Sequence, residues 1–479
     1  MEKPSSRRYR AQMTITQQPV SGPMEKDRYG GMSPWALAYP LKSKDCPCPV
    51  CGGHSVLDAK VDCGGSPALI LTVGCGKCGD ISLDAEVLKD GDVRLTVSSS
   101  GEEYEPSFEA AEARKDIENS EGEARISAEF RLGEALRTTM REHQSLELGM
   151  KIIGEAKELA QGSEAMRAIA LDETAIVAGY WSDRMDFSHA LSVYNDVKSL
   201  ADGWNGGSAY MFRINRSLAQ FMSMDMDGAL RSAEKTAAKL DRLASKNALP
   251  KDDRLIRAKA YEALGHILTL SGNIQKGAKT TKSAVEEAAK ILTESGDGEE
   301  LLWFVQLSLG YGIAAARDGA PEKGVKALAD AVRIAEKYRD QYPDAYVDAA
   351  LKQAMLASAF GTAPKENILK DLNEAVSFLE KPAEDGSFNP KLVLAYLYRG
   401  AVKSGDPDNP DAEDLEKAYS LLWSMMKDCS VPFDTFSHVS ASYLVYLEGT
   451  DKGKAEEVRS ELRKMGLFES VDQTYGLKN

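Results

Sequence analysis

Five histidines in 479 residues, scattered as His54, His143, His189, His266 and His438, give no cluster from which to build a catalytic centre. Motifs that carry common chemistry are missing as well: no GxxxxGKS or GxxxxGKT phosphate cradle, no GxGxxG between a strand and a helix, no GxSxG and no HExxH. No stretch approaches the roughly 18 consecutive apolar residues of a membrane span, and no leader-like start with a charged end and an apolar core is present. The chain therefore reads as soluble and cytoplasmic. Cysteine is scarce outside one window, with six of the seven lying between Cys46 and Cys78. Thiols crowded at short spacing argue for metal binding in a reducing compartment rather than for a disulfide framework. Cys429, alone in a helical segment, reads as a small buried apolar side chain.

Basic charge is also short, and unevenly so. The formal net charge is −15. Residues 1–100 hold 12 Lys/Arg against 11 Asp/Glu, whereas the remaining 379 residues hold 47 against 63. A surface that tracks a phosphate backbone must be basic. Any nucleic-acid contact is thus confined to the N-terminal part.

Two half-sites stand out, Cys48-Pro49-Val50-Cys51-Gly52 and Cys75-Gly76-Lys77-Cys78-Gly79. A C-x2-C turn points two sulfurs at one ion, so two such turns supply the tetrahedral set of a structural zinc: Cys48, Cys51, Cys75 and Cys78. A site of four cysteines is closed, which argues against catalysis by the Zn2+. Cys46, His54 and Cys63 are surplus ligand types that form no second paired knuckle, and Cys46 competes in sequence with Cys48 for one position.

Composition divides the chain. Residues 1–44, rich in Pro, Ser, Gly and Arg without a sustained period, read as a flexible arm, although Pro34 to Pro40 is apolar enough to pack on the next module or on a partner. Residues 45–98 read as a zinc ribbon, with strands expected at Ser55 to Val61, Ala68 to Val73, Ile81 to Leu88 and Val93 to Val97, and turns at Gly64-Gly65 and Asp90-Gly91. Residues 99–120 form a linker with a short helix expected from Phe108 to Ile117. Residues 121–479 show helical spacing throughout.

Interruptions in that helical region recur. First helices of successive hairpins are expected near Ala124, Ser163, Gly207, Asp253, Glu299, Pro343, Asn389 and Pro432, mostly 43 to 46 residues apart. One hairpin cannot bury its own apolar face, so about eight hairpins stack into an all-α solenoid. From Ala258 to Ala288, Leu264-Gly265, Leu268, Gly272-Asn273, Gly277 and Ala284 resemble the tetratricopeptide (TPR) repeat. A second unit carries Leu309-Gly310, Ile313, Gly324 and Ala331, with about four residues inserted at Asp318 to Pro321. The resemblance implies a TPR-like superhelix whose first helices line a groove for a protein partner. In that register Lys259, Glu262, His266 and Thr269 face the groove from one unit, and Phe304, Leu307 and Tyr311 from the next.

The segment Cys48 to Val87, with CPVCG, the alternating Ser55 to Asp62 and CGKCG followed by Ile81 to Val87, resembles the zinc ribbon of the Elf-type transcription elongation factors. That resemblance implies a structural zinc and association with elongating RNA polymerase; a ribbon that binds a translation factor or the ribosome has the same outline. The two modules together read as a non-enzymatic adaptor or scaffold: the ribbon docks on a transcription or translation machine and the solenoid binds a protein. The alternative is a regulatory solenoid that senses a peptide or small ligand, with the ribbon as an anchoring or dimerisation module.

Overall fold

The computed structural model describes residues 33–62, 67–246, 249, 251–296, 298–360, 365–381, 389–406, 410–468 and 471–472. Gly64-Gly65 and Cys63 lie outside the described residues.

A short helix comes first, α1 (Pro34–Leu41). The sequence had placed these residues in a flexible arm. Pro34 sits at the first helical position, where a missing N–H costs nothing. The apolar side chains of Trp35, Leu37, Ala38 and Leu41 pack on the next module, the alternative that the apolar stretch Pro34 to Pro40 had offered, and all four are buried. The cover begins with a five-stranded antiparallel meander in the order β1 (Lys44–Pro47), β2 (His54–Asp62), β3 (Ala68–Cys75), β4 (Gly79–Val87) and β5 (Val93–Val97). Alternation along the strands decides the faces. In register, Leu57 pairs Val73, Ala59 pairs Leu71, Leu71 pairs Leu83 and Ala85 pairs Leu95, and this face is buried under α1. Val56 and Ile70, on the opposite face, are about half exposed.

Helix α2 (Phe108–Glu118), capped by the Ser107 hydroxyl accepting from the Ala110 N–H, leads into the solenoid. Eight hairpins follow: α3 (Gly122–Thr138) with α4 (Glu142–Leu159), α5 (Glu164–Asp183) with α6 (Phe187–Ala201), α7 (Gly207–Met222) with α8 (Met226–Ser245), α9 (Lys251–Leu270) with α10 (Ile274–Ser295), α11 (Gly298–Arg317) with α12 (Pro321–Glu336), α13 (Pro343–Phe360) with α14 (Lys365–Leu379), α15 (Lys391–Ser404) with α16 (Ala412–Lys427), and α17 (Phe433–Thr450) with α18 (Lys452–Lys464). Each first helix starts within two residues of its expected place. With α2 they make 17 stacked helices among the described residues.

Small residues set how closely the two helices of a hairpin cross. Gly133 and Ser145, Ala178 and Ala190, Ser217 and Ala229, Gly265 and Gly277, and Gly312 and Gly324 are all 12 apart in sequence and buried. A Cβ at Gly277 would lie 2.7 Å from the Gly265 carbonyl oxygen, and one at Gly324 would lie 2.7 Å from the Gly312 Cα. These pairs correct the expected register of the fifth hairpin. Its crossing glycine is Gly312, not Gly310, and no residues are inserted at 318–321 relative to the fourth.

The β-sheet is not a free appendage. Asp92 accepts the N–H groups of His143 (2.7 Å) and Gln144 (2.8 Å) at the start of α4, the Val93 N–H donates to the Met140 carbonyl (3.0 Å), Lys44 donates to the Thr138 carbonyl, and Arg141 pairs with Glu105. Those contacts fix the sheet to the first hairpin. At the other end, Lys42 donates to the carbonyl of Asp428 in the loop between α16 and α17. Buried side chains of α1, the sheet and helices from α9 to α18 form one continuous apolar cluster, whereas the core residues of hairpins one to three form separate ones. The sheet bridges the first hairpin and the last two.

One buried charge has no such compensation. Glu173 on α5 is fully buried, neither carboxylate oxygen accepts a hydrogen bond among the described residues, and the Arg137 guanidinium stays 3.7 Å away. Burial pushes its pKa up to about 7, against which Arg137 pulls down and Glu134 and Asp172 push further up. A carboxyl held above its unfolded value stabilises the fold fully at low pH and loses that contribution as pH rises through 7. Glu173→Gln should therefore stabilise the protein by about 2–3 kcal/mol at pH 8 and by little at pH 5. Thermal unfolding at the two pH values checks this; an equal shift at both would remove the charge as the cause.

Candidate functional site

The first knuckle is the loop from β1 into β2. The Cys48 N–H donates to the Gly53 carbonyl (2.7 Å) and the Gly52 N–H to the Cys48 carbonyl (2.9 Å), closing a turn in which Gly52 takes φ of 67°. The second is the tight turn from β3 to β4, where Cys75 pairs with Gly79 across the strands and Gly79 takes φ of 80°. Left-handed backbone of this kind is cheap only for glycine, which accounts for Gly52 and Gly79 after each second cysteine. The two loops lie at one end of the meander because β2 and β3 pair antiparallel between them.

The four sulfurs of Cys48, Cys51, Cys75 and Cys78 lie within 4.8 Å of one another, with Cys51 Sγ 3.8 Å from Cys75 Sγ. A tetrahedron with metal–sulfur bonds of about 2.3 Å has edges of about 3.8 Å, so the geometry fits one such ion and is far too open for a disulfide. Cys48 and Cys75 are buried, and Cys51 and Cys78 exposed. N–H groups aimed at the sulfurs prepare them for a cation. The Lys77 N–H, the Ser55 hydroxyl and the Cys78 N–H hold Cys75 down to about 6, and the Cys51 N–H leads those that lower Cys48. The hydrogen bond shared with Cys51, then burial and the other sulfurs, push Cys78 up to about 12. Four thiolates in one place need a positive charge among them, and a divalent ion would supply it.

Surplus ligand types are disposed elsewhere. Cys46, on β1, points into the apolar core beside Tyr104, and burial pushes its thiol up. It does not compete with Cys48. His54 lies against Phe108, the rings tilted by 41° with centroids 4.7 Å apart. Asp90, Asp92 and His143 also come together, but Asp92 is spent on capping α4. Cys429 is buried.

The expected groove residues divide. Lys259, Glu262 and His266 lie along one side of α9: Lys259 pairs with Glu262 (3.0 Å) and sits 3.8 Å above the Trp303 ring of α11, while His266 is exposed near the Phe221 ring. Partial burial lowers the pKa of His266, Glu262 opposes the shift, and Arg317 adds to it. Thr269 is buried and donates to the Gly265 carbonyl (2.8 Å). Phe304, Leu307 and Tyr311 are core residues rather than groove residues. The two-residue error in register turned them inward. Aligned on Gly265 and Gly312, the positions equivalent to Lys259, Glu262 and His266 are Gln306, Leu309 and Ile313, of which Gln306 and Ile313 are exposed and Leu309 half-buried. The 12-residue spacing of small pairs was the signal that would have found them.

No family model and no curated protein matches the chain. Among solved structures it is similar to the apo form of RapI (13% identity, TM-score 0.42, covering 77% of this chain and 98% of that one). It is also similar to a Rap protein complexed with competence and sporulation factor (13%, TM-score 0.37, 76% and 92%), and to the apo quorum sensor NprR from B. thuringiensis (11%, TM-score 0.33, 74% and 97%). The helical region is a TPR-like solenoid. These likenesses concern the stacking of helices alone, and the elongation-factor resemblance of residues 48–87 rests on its motif.

Proposed function

We propose that the chain is a non-enzymatic adaptor in which the inner face of α7, α9 and α11 binds a segment of a protein partner. The observation that carries this reading is the open stripe along those helices: Met222, His266, Gln306, Ile313 and Arg317 are exposed, and Lys259, Glu262, Trp303 and Leu309 half-buried. Apolar area on such a stripe gives affinity, and the charged and amide groups beside it fix the register of what binds. The four-cysteine module, holding a structural Zn2+, is the end that docks on a transcription or translation machine. Support for this comes from its motif and from Val56 and Ile70 on its outward face. The regulatory alternative, a solenoid that senses a peptide, is favoured by one further fact: the module is held by both ends of the solenoid, so a change in the solenoid's curvature acts on it directly.

Exposed positions can be changed with little effect on folding. Ile313→Glu with His266→Glu should lose the partner held by the solenoid and keep those held by the module, and Val56→Glu with Ile70→Glu should do the reverse. Quantitative mass spectrometry of proteins captured on wild type and both variants reads the difference. Identical partner sets from all three would end the adaptor reading.

A further inference from the structure

The turns between first and second helices share one backbone conformation in hairpins one to five. At Met140, Met185, Met224, Gly272 and Gly319 the chain takes φ between 59° and 87°, and the next residue's N–H donates to the carbonyl five residues back: Arg141 to Leu136, Asp186 to Trp181, Asp225 to Gln220, Asn273 to Leu268 and Ala320 to Ala315. Helices commonly close on a left-handed residue in this way, and glycine is the residue favoured there. Hairpins four and five use glycine, whereas the first three use methionine. A side chain with a Cβ strains this conformation, so each methionine lowers stability where glycine would not.

The first of the three methionines has a visible task. The Met140 carbonyl accepts from the Val93 N–H of β5 (3.0 Å), and the side chain is half-buried against the apolar cluster that contains the sheet. Met140 is thus a contact residue for the cysteine module. Met185 and Met224 hold the same place in the next two hairpins and are the most exposed large apolar side chains among the described residues, at 73% and 78%. The Ser223 hydroxyl beside the third turn donates to the Phe187 carbonyl beside the second (2.8 Å), and Arg184 of the second turn pairs with Glu142 at the start of α4 (3.4 Å). The two methionines therefore continue, along one edge of the solenoid, the row on which the module sits.

Charge beside the row decides what fits it. Residues 183–187 and 222–227 carry four carboxylates, Asp183, Asp186, Asp225 and Asp227, and one guanidinium, Arg184, which lies over the Tyr180 ring (3.5 Å). Such an edge repels phosphates and attracts lysine and arginine. The unbranched thioether of methionine adapts to apolar side chains of different outline. We propose that Met185 and Met224 form a docking site for a cationic amphipathic helix of a partner protein, whose apolar stripe covers the methionines and whose flanking lysines and arginines meet the aspartates. The proposal is independent of the groove along α7, α9 and α11, because neither methionine belongs to that stripe.

The test titrates the full chain with a fluorescein-labelled peptide of leucine and lysine in helical alternation, read by fluorescence anisotropy. Met185→Gly with Met224→Gly keeps every charge and gives both turns the residue that hairpins four and five use. The double variant should unfold in urea at a midpoint no lower than wild type, yet bind the peptide about tenfold more weakly or worse. A peptide with serine in place of leucine should bind both proteins alike and weakly, and one with glutamate in place of lysine should bind neither. Hydroxyl-radical footprinting needs no variant: the leucine and lysine peptide should protect Met185 and Met224 of the wild type from oxidation. Equal affinity of wild type and double variant, or unprotected methionines in saturating peptide, overturns the proposal. A lowered urea midpoint does so too, because it assigns the methionines to the fold, and comparable binding of the glutamate peptide rules out a cationic occupant.

Discussion

Chelation, or Cys75→Ser, should unfold residues 33–97 while leaving most of the helical signal in place. A module of five short strands and one eight-residue helix buries too little to stand alone. Structural zinc contributes about 10–16 kcal/mol in comparable small sites, as much as the entire stability of many domains. Hydrogen exchange read by mass spectrometry should show β2, β3 and β4 losing protection together. Because the sheet caps α4 through Asp92 and reaches the α16–α17 loop through Lys42, the start of α4 and residues near Asp428 should loosen too, and the middle hairpins should not. Cys46→Ala is the matched control: its thiol lies in the core, so metal content should stay at one ion per chain while stability falls modestly. Persistent protection of β2 to β4 without metal would show that the cysteines are not what holds the sheet.

The second large effect should come from Gly324→Val. A side chain there meets the Gly312 Cα and carbonyl oxygen at 2.7 Å, and backbone cannot rotate aside as a side chain can. Helices α11 and α12 must separate, at a cost of about 1–3 kcal/mol or more, and with them the seat of Leu356 of α13 against Gly312. Gly154→Ala is the opposite case. Among the described residues nothing lies within 4 Å of its would-be Cβ, so the change should stabilise α4 by about 0.5–1 kcal/mol. Urea unfolding of both variants decides the point; a Gly324→Val midpoint equal to wild type would mean that the close crossing does not matter.

The crossing of Gly312 and Gly324 also shows how far the sequence can be read. Hairpin starts were legible because glycine, proline and capping residues interrupt a helical pattern, and such breaks act locally. The register within the fifth hairpin was not, because Leu309-Gly310-Tyr311-Gly312 offers two glycines two positions apart. The choice depends on which one finds a small residue 12 positions on: Gly312 has Gly324, whereas Gly310 has Glu322. That error moved the groove from Gln306, Leu309 and Ile313 to Phe304, Leu307 and Tyr311. The cysteine set was legible because C-x2-C geometry is local too. The packing of Pro34 to Pro40 on the next module was legible from its apolar character, but the helical form of α1 was not. With Pro40 inside it the helix has poor propensity of its own, and its stability comes from a sheet that only the folded chain assembles.

The bridge made by the sheet, from the first hairpin to Asp428, has a mechanical consequence. An open stack of hairpins behaves as a spring, lengthening by small changes at every interface and unravelling from an end one unit at a time. Joined through the sheet, the part of the stack between the first hairpin and the α16–α17 loop is closed on itself and cannot start to unravel from within. Extension then loads the Lys42, Asp92 and Arg141 contacts first, and until they part the spring is locked at one length.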